Sequence, residues 1–387
     1  MVFNPKKVIL CPVPKMGQVT TNNTMITTQT VPQTSSVFNQ MTSMDHEQLV
    51  FCHDEATGLK ALIGIHNTVL GPAMGGTRMW SYESEEAAVR DVLRLSRGMT
   101  FKSAIAGLNI GGGKAVIIGD AKKLKNEALL RRFGRFVNSL NGKYWTAEDV
   151  NMNTRDMEHI RMETPYCTGL PESMGGSGDP SPVTAYGVYI GMKAAAKKAF
   201  GSDMLQGKKI LVQGVGHVGS YLIDHLIKEG AQVMINDIFE DKISAITSKH
   251  KVEVVDSVYD REMDIYAPCA LGATLNDQTI PMLKCAVVAG GANNQLDDEK
   301  IHGEMLKSRG IVYSPDFLIN SGGITNVYYE MLGNYNRDKV YQQTEQIYEI
   351  MMRVMDHADS NDTTTHQAAL QIALDRIESV GKMKMRQ

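Results

Sequence analysis

The sequence predicts an α/β protein of two domains separated by a cleft. Three observations carry that expectation. At 387 residues the chain exceeds what one hydrophobic core usually organises. From about Lys208 short apolar strands alternate with helical stretches, the rhythm of βαβ units around a parallel sheet. Between the halves, GDPSPVTAYG sets two prolines among small residues from Gly178 to Gly187, as a hinge or linker would.

Residues 1–44 contain no Asp or Glu and are crowded with Thr, Ser, Asn, Gln and Pro, so a mostly unstructured extension is expected there. Transit peptides also lack acids, but they are Arg-rich. This stretch has only Lys6, Lys7 and Lys15, which favours a linker-like arm. Order is expected from Asp45, with a hairpin formed by QLVFCHD, the turn ATG and LKALIGIHN. A helix should follow. Ser84 can cap it, Glu85 and Glu86 suit its positive first turn, Arg94 and Arg97 its last, and Gly98 would end it. In the second half the strands are KKILVQG, AQVMIND, DIYAPCA, AVVAGG and GIVYSP, with a helix through SYLIDHLIKEG.

Composition narrows the partners. A formal net charge of −3 leaves no basic footprint for nucleic acid and no basic arm for an anionic membrane, so a small molecule is the expected partner. No apolar run approaches the roughly 20 residues of a spanning helix. The five cysteines, Cys11, Cys52, Cys167, Cys269 and Cys285, are scattered without a C-x-x-C pair. They read as reduced thiols of a cytoplasmic protein, and no metal site is expected.

The turn GVGHVG follows the strand KKILVQ directly. Gly214 allows the turn, Gly216 lets the backbone approach a pyrophosphate, and Gly219 lets the helix pack on the strand. Val215, His217 and Val218 fill the loop, with His217 a spacer rather than a catalyst. The helix N-terminus attracts phosphate, so this half is expected to be a Rossmann-type dinucleotide-binding domain. Asp237 ends the next strand 18 residues after Gly219. Its carboxylate would take hydrogen bonds from the adenine ribose and repel a 2′-phosphate, which favours NAD over NADP.

In the first half Lys102 and Lys114 flank the glycines of MTFKSAIAGLNIGGGKAVIIGD. Two ammonium groups about 4 Å apart at an effective dielectric of about 20 repel by roughly 4 kcal/mol, about three pK units. One could then titrate low enough to act as a general base while the other holds an anionic substrate. Lysines are usually solvated. Here Ala104, Ile105, Ala106, Leu108, Ile110, Ala115, Val116 and Ile117 form apolar flanks, and Gly111, Gly112 and Gly113 would strip the approach of side chains. In YWTAEDV a strand ends in two acids, and spacing does not separate Glu148 from Asp149 as a proton shuttle. Gly75 and Gly76 of LGPAMGGTRMW could offer N–H groups to a carboxylate.

Together the runs GPAMGGTRMW, RGMTFKSAIAGLNIGGGKAV, TAEDV, GDPSPVTAYG, VQGVGHVG, GGANNQL and YSPDFLINSGGITNV resemble the Glu/Leu/Phe/Val dehydrogenase family, and within it the leucine enzymes, from about Asp45 onward. The resemblance implies that Lys102 binds the substrate α-carboxylate, Lys114 is the catalytic base and Asp149 relays protons. Thr184 and Asn293 would position the nicotinamide. Met74, Ala147, Thr168, Ile324 and Val327 match a branched-chain pocket, with Met99, Gly75 and Gly76 beside it; the glutamate enzymes have a lysine where Met74 stands.

The resemblance further implies a substrate-binding and oligomerisation domain over 45–177, an NAD-binding domain over 178–355, and C-terminal helices returning to the first domain over 356–387. It implies NAD-dependent oxidative deamination of branched-chain amino acids by a homo-oligomer, commonly an octamer. A phenylalanine or valine preference and a non-catalytic NAD-binding sensor are the alternatives. NMNTRDM after TAEDV departs from the glycine and threonines of the pattern, and the long N-terminal arm has no counterpart in typical members.

Overall fold

The computed structural model describes residues 36–384 and contains two sheets. The first is built from β1 (Gln48–Asp54), β2 (Leu59–Asn67), β3 (Ala73–Trp80), β4 (Gly111–Ile118) and β5 (Tyr144–Glu148), in the order β1-β2-β4-β3-β5. The expected hairpin is present, with Gln48 opposite Ile65 and Asp54 opposite Leu59. β3 runs parallel to both β4 and β5.

A short helix α1 (Val37–Met44) precedes β1, and α2 (Glu85–Ile105) crosses the sheet. Both correct the sequence reading. The unstructured extension was expected to reach residue 44, but Ser36 accepts from Asn39 N–H as a cap, and Val37, Met41 and Met44 pack against Val89, Val92 and Leu93. Buried apolar contact outweighs the polar composition there; residues 1–35, for which the extension was also expected, lie outside the described residues. α2 starts at Ser84 as expected but does not stop at Gly98. Glycine inside a helix costs only about 1 kcal/mol, and the apolar period resumes at once through Phe101, Ala104 and Ile105. Arg94 and Arg97 are therefore mid-helix, and Lys102 occupies the last turn.

The other face of the sheet is covered by α3 (Ala121–Leu124), α4 (Glu127–Asn138) and α5 (Thr154–Arg161), whose Leu129, Phe133, Val137, Met157 and Ile160 are buried with Ile63, Ala115 and Ile117. The departure from the family pattern at NMNTRDM forms a capping box between Asn153 and Asp156 that starts α5. Next, α6 (Ser181–Phe200) begins inside the segment expected to be a linker. Pro180 precedes the helix and Pro182 sits in its first turn, where a missing N–H is harmless, so these prolines start a helix.

The second sheet comprises β6 (Lys209–Gln213), β7 (Gln232–Asn236), β8 (Glu253–Val254), β9 (Ile265–Pro268), β10 (Val287–Val288) and β11 (Val312–Tyr313). Its order, β11-β10-β9-β6-β7-β8 with all neighbours parallel, is the doubly wound arrangement, with the switch point between β6 and β9. Helices α7 (His217–Glu229), α8 (Glu240–Thr247) and α9 (Glu299–Ser308) follow its strands.

The chain then continues through α10 (Asp316–Ile319), α11 (Gly322–Met331), α12 (Arg337–Glu345), α13 (Ile347–Ser360) and α14 (Thr365–Lys384). One apolar cluster joins Ala185 and Met192 of α6, Met351 of α13 and Ala369 and Ala373 of α14 to Phe101, Ala104 and Ile105 of α2. Arg376 of α14 donates to the carbonyls of Ala104, Gly107 and Leu108 and to Asn109 Oδ1, closing the C-terminal end of α2.

The glycines of β4 have a different purpose from the one expected. A Cβ on Gly112 would lie 2.1 Å from Thr100 Oγ1 and 2.2 Å from Thr100 N; one on Gly113 would lie 2.7 Å from the Tyr144 ring; and one on Gly75 would lie 1.8 Å from Gly113 O. They let α2, β3 and β5 close on β4 instead of clearing a path for substrate. Gly112→Ala should destabilise the fold by about 3 kcal/mol or more, because the clash is with backbone. Gly98→Ala, with no atom within 4 Å of its added Cβ, should stabilise it by up to about 1 kcal/mol. Thermal unfolding of both variants checks this, and equal effects would be inconsistent with the packing described.

Candidate active site

Strand alternation decides which side chains share the site. Ala115 and Ile117 of β4 face α4, so Gly112, Lys114 and Val116 face α2. By the same rule Ala73 and Met79 of β3 turn to the core while Met74, Gly76 and Arg78 turn to the α2 side. On β5 Tyr144 turns inward, and Ala147 and then Asp149 turn to the α2 side. A cleft of about 450 Å³ opens on that side, and Lys102 reaches it from the last turn of α2.

Asp149 sits between two cations. Its Oδ2 lies 3.1 Å from Lys114 Nζ and 3.0 Å from Arg78 Nε. Arg78 Nη1 extends the array to Asp91 Oδ2 at 3.1 Å, and Tyr82 donates to the same oxygen at 2.7 Å. Burial alone would raise the Asp149 carboxyl, but Lys114 and Arg78 together hold it below the usual carboxylate range. Glu148 belongs to the opposite alternation and pairs with neither cation. Burial, followed by the charge of Asp179, pushes it up to about 7. The two acids that sequence spacing left equivalent are thus separated by environment.

Both lysines line the cleft, and for Lys102 mutual repulsion is not the main influence. Lys102 is pushed down to about 8 chiefly by burial; Asp316 opposes the shift, and the charge of Lys114 adds to it as a smaller cause. A lysine titrating near 8 is mostly charged at neutral pH, as an anchor for a carboxylate must be. Lys114, 6% exposed, has the Asp149 carboxylate against it. A lysine beside a carboxylate can exchange a proton with it directly.

Beside Lys102 lies an apolar hollow. Met74, Ala147, Ile324 and Val327 are buried together with Leu108 and Ile110, and Met99 packs against them. Met74, Gly75, Gly76, Met99, Lys102, Ala147, Ile324 and Val327 all line the cleft. Thr168 does not: it is fully buried one residue behind Gly169 and donates to Thr146 O.

The opposite wall comes from the second sheet and the helices after it. Thr184, Val218 and Asn293 line the cleft, with Thr184 Oγ1 donating to Pro180 O and Asn293 Oδ1 accepting from Asn320 Nδ2 at 2.8 Å. Behind Val218 lies the GVGHVG turn. Gly214 has φ +96° and an added Cβ would lie 2.7 Å from Ala270 N; one on Gly219 would lie 2.0 Å from Gly214 O. Gly216 differs, since a Cβ there would meet nothing within 4 Å, so that glycine borders open space. α7 starts at His217 with no side chain capping its first N–H groups, and His217 itself is exposed. Asp237 Oδ2 accepts from Val215 N–H at 2.8 Å and Oδ1 from Phe239 N–H, leaving a lone pair on each oxygen. Open space before uncapped N–H groups, with a carboxylate at the end of β7, fits a dinucleotide.

Several cleft residues escaped the sequence reading. Arg78 is a lone arginine in an apolar strand, and only the β3–β5 pairing shows what it faces. Asp316 is 6% exposed, accepts from Asn294 N–H at 2.6 Å and Tyr313 OH at 3.1 Å, and is raised by burial although Lys102 is among the groups that oppose the rise. Its position in YSPDFLINSGG was quoted for the motif, with no role attached. Among the described residues Cys52, Cys167, Cys269 and Cys285 are free thiols; Cys11 lies outside them. No described helix is long and apolar enough to cross a membrane.

Comparison with known proteins places these features in context. Residues 46–166 match the family model described as Glu/Leu/Phe/Val dehydrogenase, dimerisation domain. Residues 175–238 and 234–384 match the one described as Glutamate/Leucine/Phenylalanine/Valine dehydrogenase. The chain is 54% identical over 350 residues to a leucine dehydrogenase of Thermoactinomyces intermedius, covering 90% of this chain and 95% of that one. It is 45% identical over 350 residues to an L-tryptophan dehydrogenase of Nostoc punctiforme, covering 90% and 98%. A crystal structure of L-tryptophan dehydrogenase from the same organism superposes with a TM-score of 0.78 at 43% identity, covering 89% of this chain and 99% of that one.

The raised Glu148 has a measurable consequence. A carboxyl that titrates near 7 when folded, against 4.5 as a model group, makes its ionisation a cost of folding. That cost is absent below about pH 4.5 and fully present above about pH 7. Glu148→Gln should therefore gain melting temperature over the parent protein as pH rises through this window, with no gain at its acid end. A difference that does not vary with pH would refute the assignment.

Proposed function

The chain belongs to the Glu/Leu/Phe/Val dehydrogenase family, and we propose that it catalyses the NAD-dependent, reversible oxidative deamination of L-leucine and other branched-chain amino acids to the 2-oxo acid and ammonia. The observation that carries the side-chain assignment is the hollow of Met74, Ala147, Ile324 and Val327 beside Lys102. Met74 stands where the glutamate enzymes carry a lysine for a side-chain carboxylate, so an aliphatic group is favoured and an acidic one is left unpaired. A methylene in such a pocket is worth only about 1 to 3 kcal/mol, so leucine, isoleucine and valine should all be turned over.

On this reading the Lys102 ammonium holds the substrate α-carboxylate, and the N–H groups of Gly75 and Gly76 assist. The side chain enters the hollow, with Met99 completing its surroundings and Thr168 supporting the wall from behind through Thr146. The turn from Gly214 to Gly219, including Val215, His217 and Val218, holds the NAD pyrophosphate; Asp237 takes the adenine ribose, and Thr184 and Asn293 the nicotinamide. NAD bound there would supply a hydride acceptor for the Cα of the substrate with its amino group neutral, so the amino acid would be left as its protonated imine. Lys114 then takes a proton from the water that adds to the imine carbon, and Asp149, 3.1 Å away, accepts and returns it as ammonia departs. Lys114 and then Arg78 hold the Asp149 carboxyl below the usual carboxylate range against the effect of burial. The apolar walls exclude bulk water from the reacting carbon.

We assign substrate binding and oligomerisation to residues 45–177, NAD binding to 178–355, and the return to the first domain to 356–387. A cytoplasmic homo-octamer is the assembly the family resemblance favours.

NADH formation measured with a panel of L-amino acids, using NAD and NADP in turn, tests the proposal. Leucine with NAD should give the highest kcat/KM. No absorbance change with any aliphatic amino acid would overturn the function, whereas a strong preference for phenylalanine would overturn only the side-chain assignment. Lys114→Ala should lower kcat by at least about 100-fold, the low end of a general base's contribution, while leaving NAD binding intact.

A further inference from the structure

We propose that Glu330, which does not line the cleft, sets the width of the side-chain hollow and so determines amino-acid specificity. The proposal rests on the reading of the hollow as the substrate side-chain site.

The hollow has two walls from distant stretches of the chain. Ala147 on β5 and Met74 on β3 form one, and Ile324 and Val327 on α11 form the other. Ile324, Val327 and Glu330 recur every three residues, so Glu330 continues the same side of α11 by one turn. Its carboxylate crosses to the segment that follows α5. Oε2 accepts from Gly169 N–H at 3.0 Å and Ser177 N–H at 2.8 Å, and Oε1 accepts from Leu170 N–H at 3.2 Å. A second contact from α11 reinforces the first: Asn326 Nδ2 donates to Ser177 O at 3.4 Å, and Tyr335 OH fixes the Asn326 amide through its Oδ1 at 2.5 Å.

That segment is itself bound to the sheet wall. Thr168 N–H donates to Thr146 O at 2.9 Å, beside Ala147, and Gly178 N–H closes the loop on Leu170 O at 3.0 Å. Gly169, with φ +78°, is where the segment borders the cleft. Glu330 is therefore a tie between the helix wall and the sheet wall. Hydrogen bonds to an ionised acceptor are roughly twice as strong as neutral ones, and three on one carboxylate hold a backbone segment more firmly than apolar contact would. Glutamine keeps the size of this side chain but turns an N–H₂ group toward N–H donors. Aspartate keeps the charge but falls a methylene short.

The test measures kcat and KM of the full-length enzyme with saturating NAD for L-leucine and L-phenylalanine, in the parent protein, Glu330→Gln and Glu330→Asp. In both variants the leucine-to-phenylalanine ratio of kcat/KM should fall by about tenfold or more, the scale of a one-methylene misfit, mainly through the KM for leucine. An unchanged ratio, or an equal loss for both amino acids, would overturn the proposal, since a merely structural role lowers the two together. If Glu330→Gln does not fold, the aspartate variant carries the same readout. Absence of turnover by the parent protein would instead overturn the functional reading on which the proposal rests.

Discussion

Two lysines on different elements reach one cleft because α2 lies against β4 so closely that even a methyl group at position 112 would overlap the backbone of Thr100. That approach puts the C-terminal end of the helix beside the start of the strand. The capped start at Ser84, the uninterrupted passage through Gly98 and the closure by Arg376 at the far end all serve to hold a helix in this place. Side-chain bulk is absent from β4 where the helix touches it and present where the strand turns to its other core, in Ala115 and Ile117.

Bringing two cations into a half-buried cleft has an electrostatic cost that acids on either side offset. Asp149 lies against Lys114 and shares its charge with Arg78, while Asp316 on the opposite wall opposes the downward shift of Lys102. The two lysines thus differ through their partners and their burial more than through each other. Asp149 also depends on strand pairing: it faces the cations because Ala147 two residues earlier faces the same side. Glu148, one residue away, is left without a cation and with three acids around it, Asp179, Asp156 and Asp149.

Much of this was legible in the sequence. The glycine turn, the strand rhythm of the second half, the hairpin and the residues of the hollow other than Thr168 could be read from pattern or family resemblance, because they depend on local spacing or on motif order; Thr168 lies behind the wall. What escaped depended on tertiary position. Gly98 looked like a helix end because a glycine at the end of an apolar repeat usually is one, and its small penalty in mid-helix is invisible without the sheet that α2 packs on. Gly111 to Gly113 were assigned to substrate access when their space is filled by the backbone of Asn67 and Thr100 and by the ring of Tyr144. The prolines after Gly178 looked like a hinge, though one of them lies inside the first turn of α6. Arg78 and Glu330 gave no local signal, since Arg78 meets Asp149, 71 residues away, and Glu330 meets Gly169, 161 residues away in sequence.

The placement of α14 has a consequence for how the protein is made. The guanidinium that closes the end of α2 belongs to Arg376, and the apolar cluster behind Lys102 includes Ala369 and Ala373 from the same late helix. During vectorial synthesis the first sheet emerges hundreds of residues before this helix does. Until α14 emerges, the helix that carries Lys102 lacks the closure by Arg376 and part of its apolar cover. A nascent chain can therefore complete the first sheet and the GVGHVG turn early, yet the cleft is finished only once α14 is available.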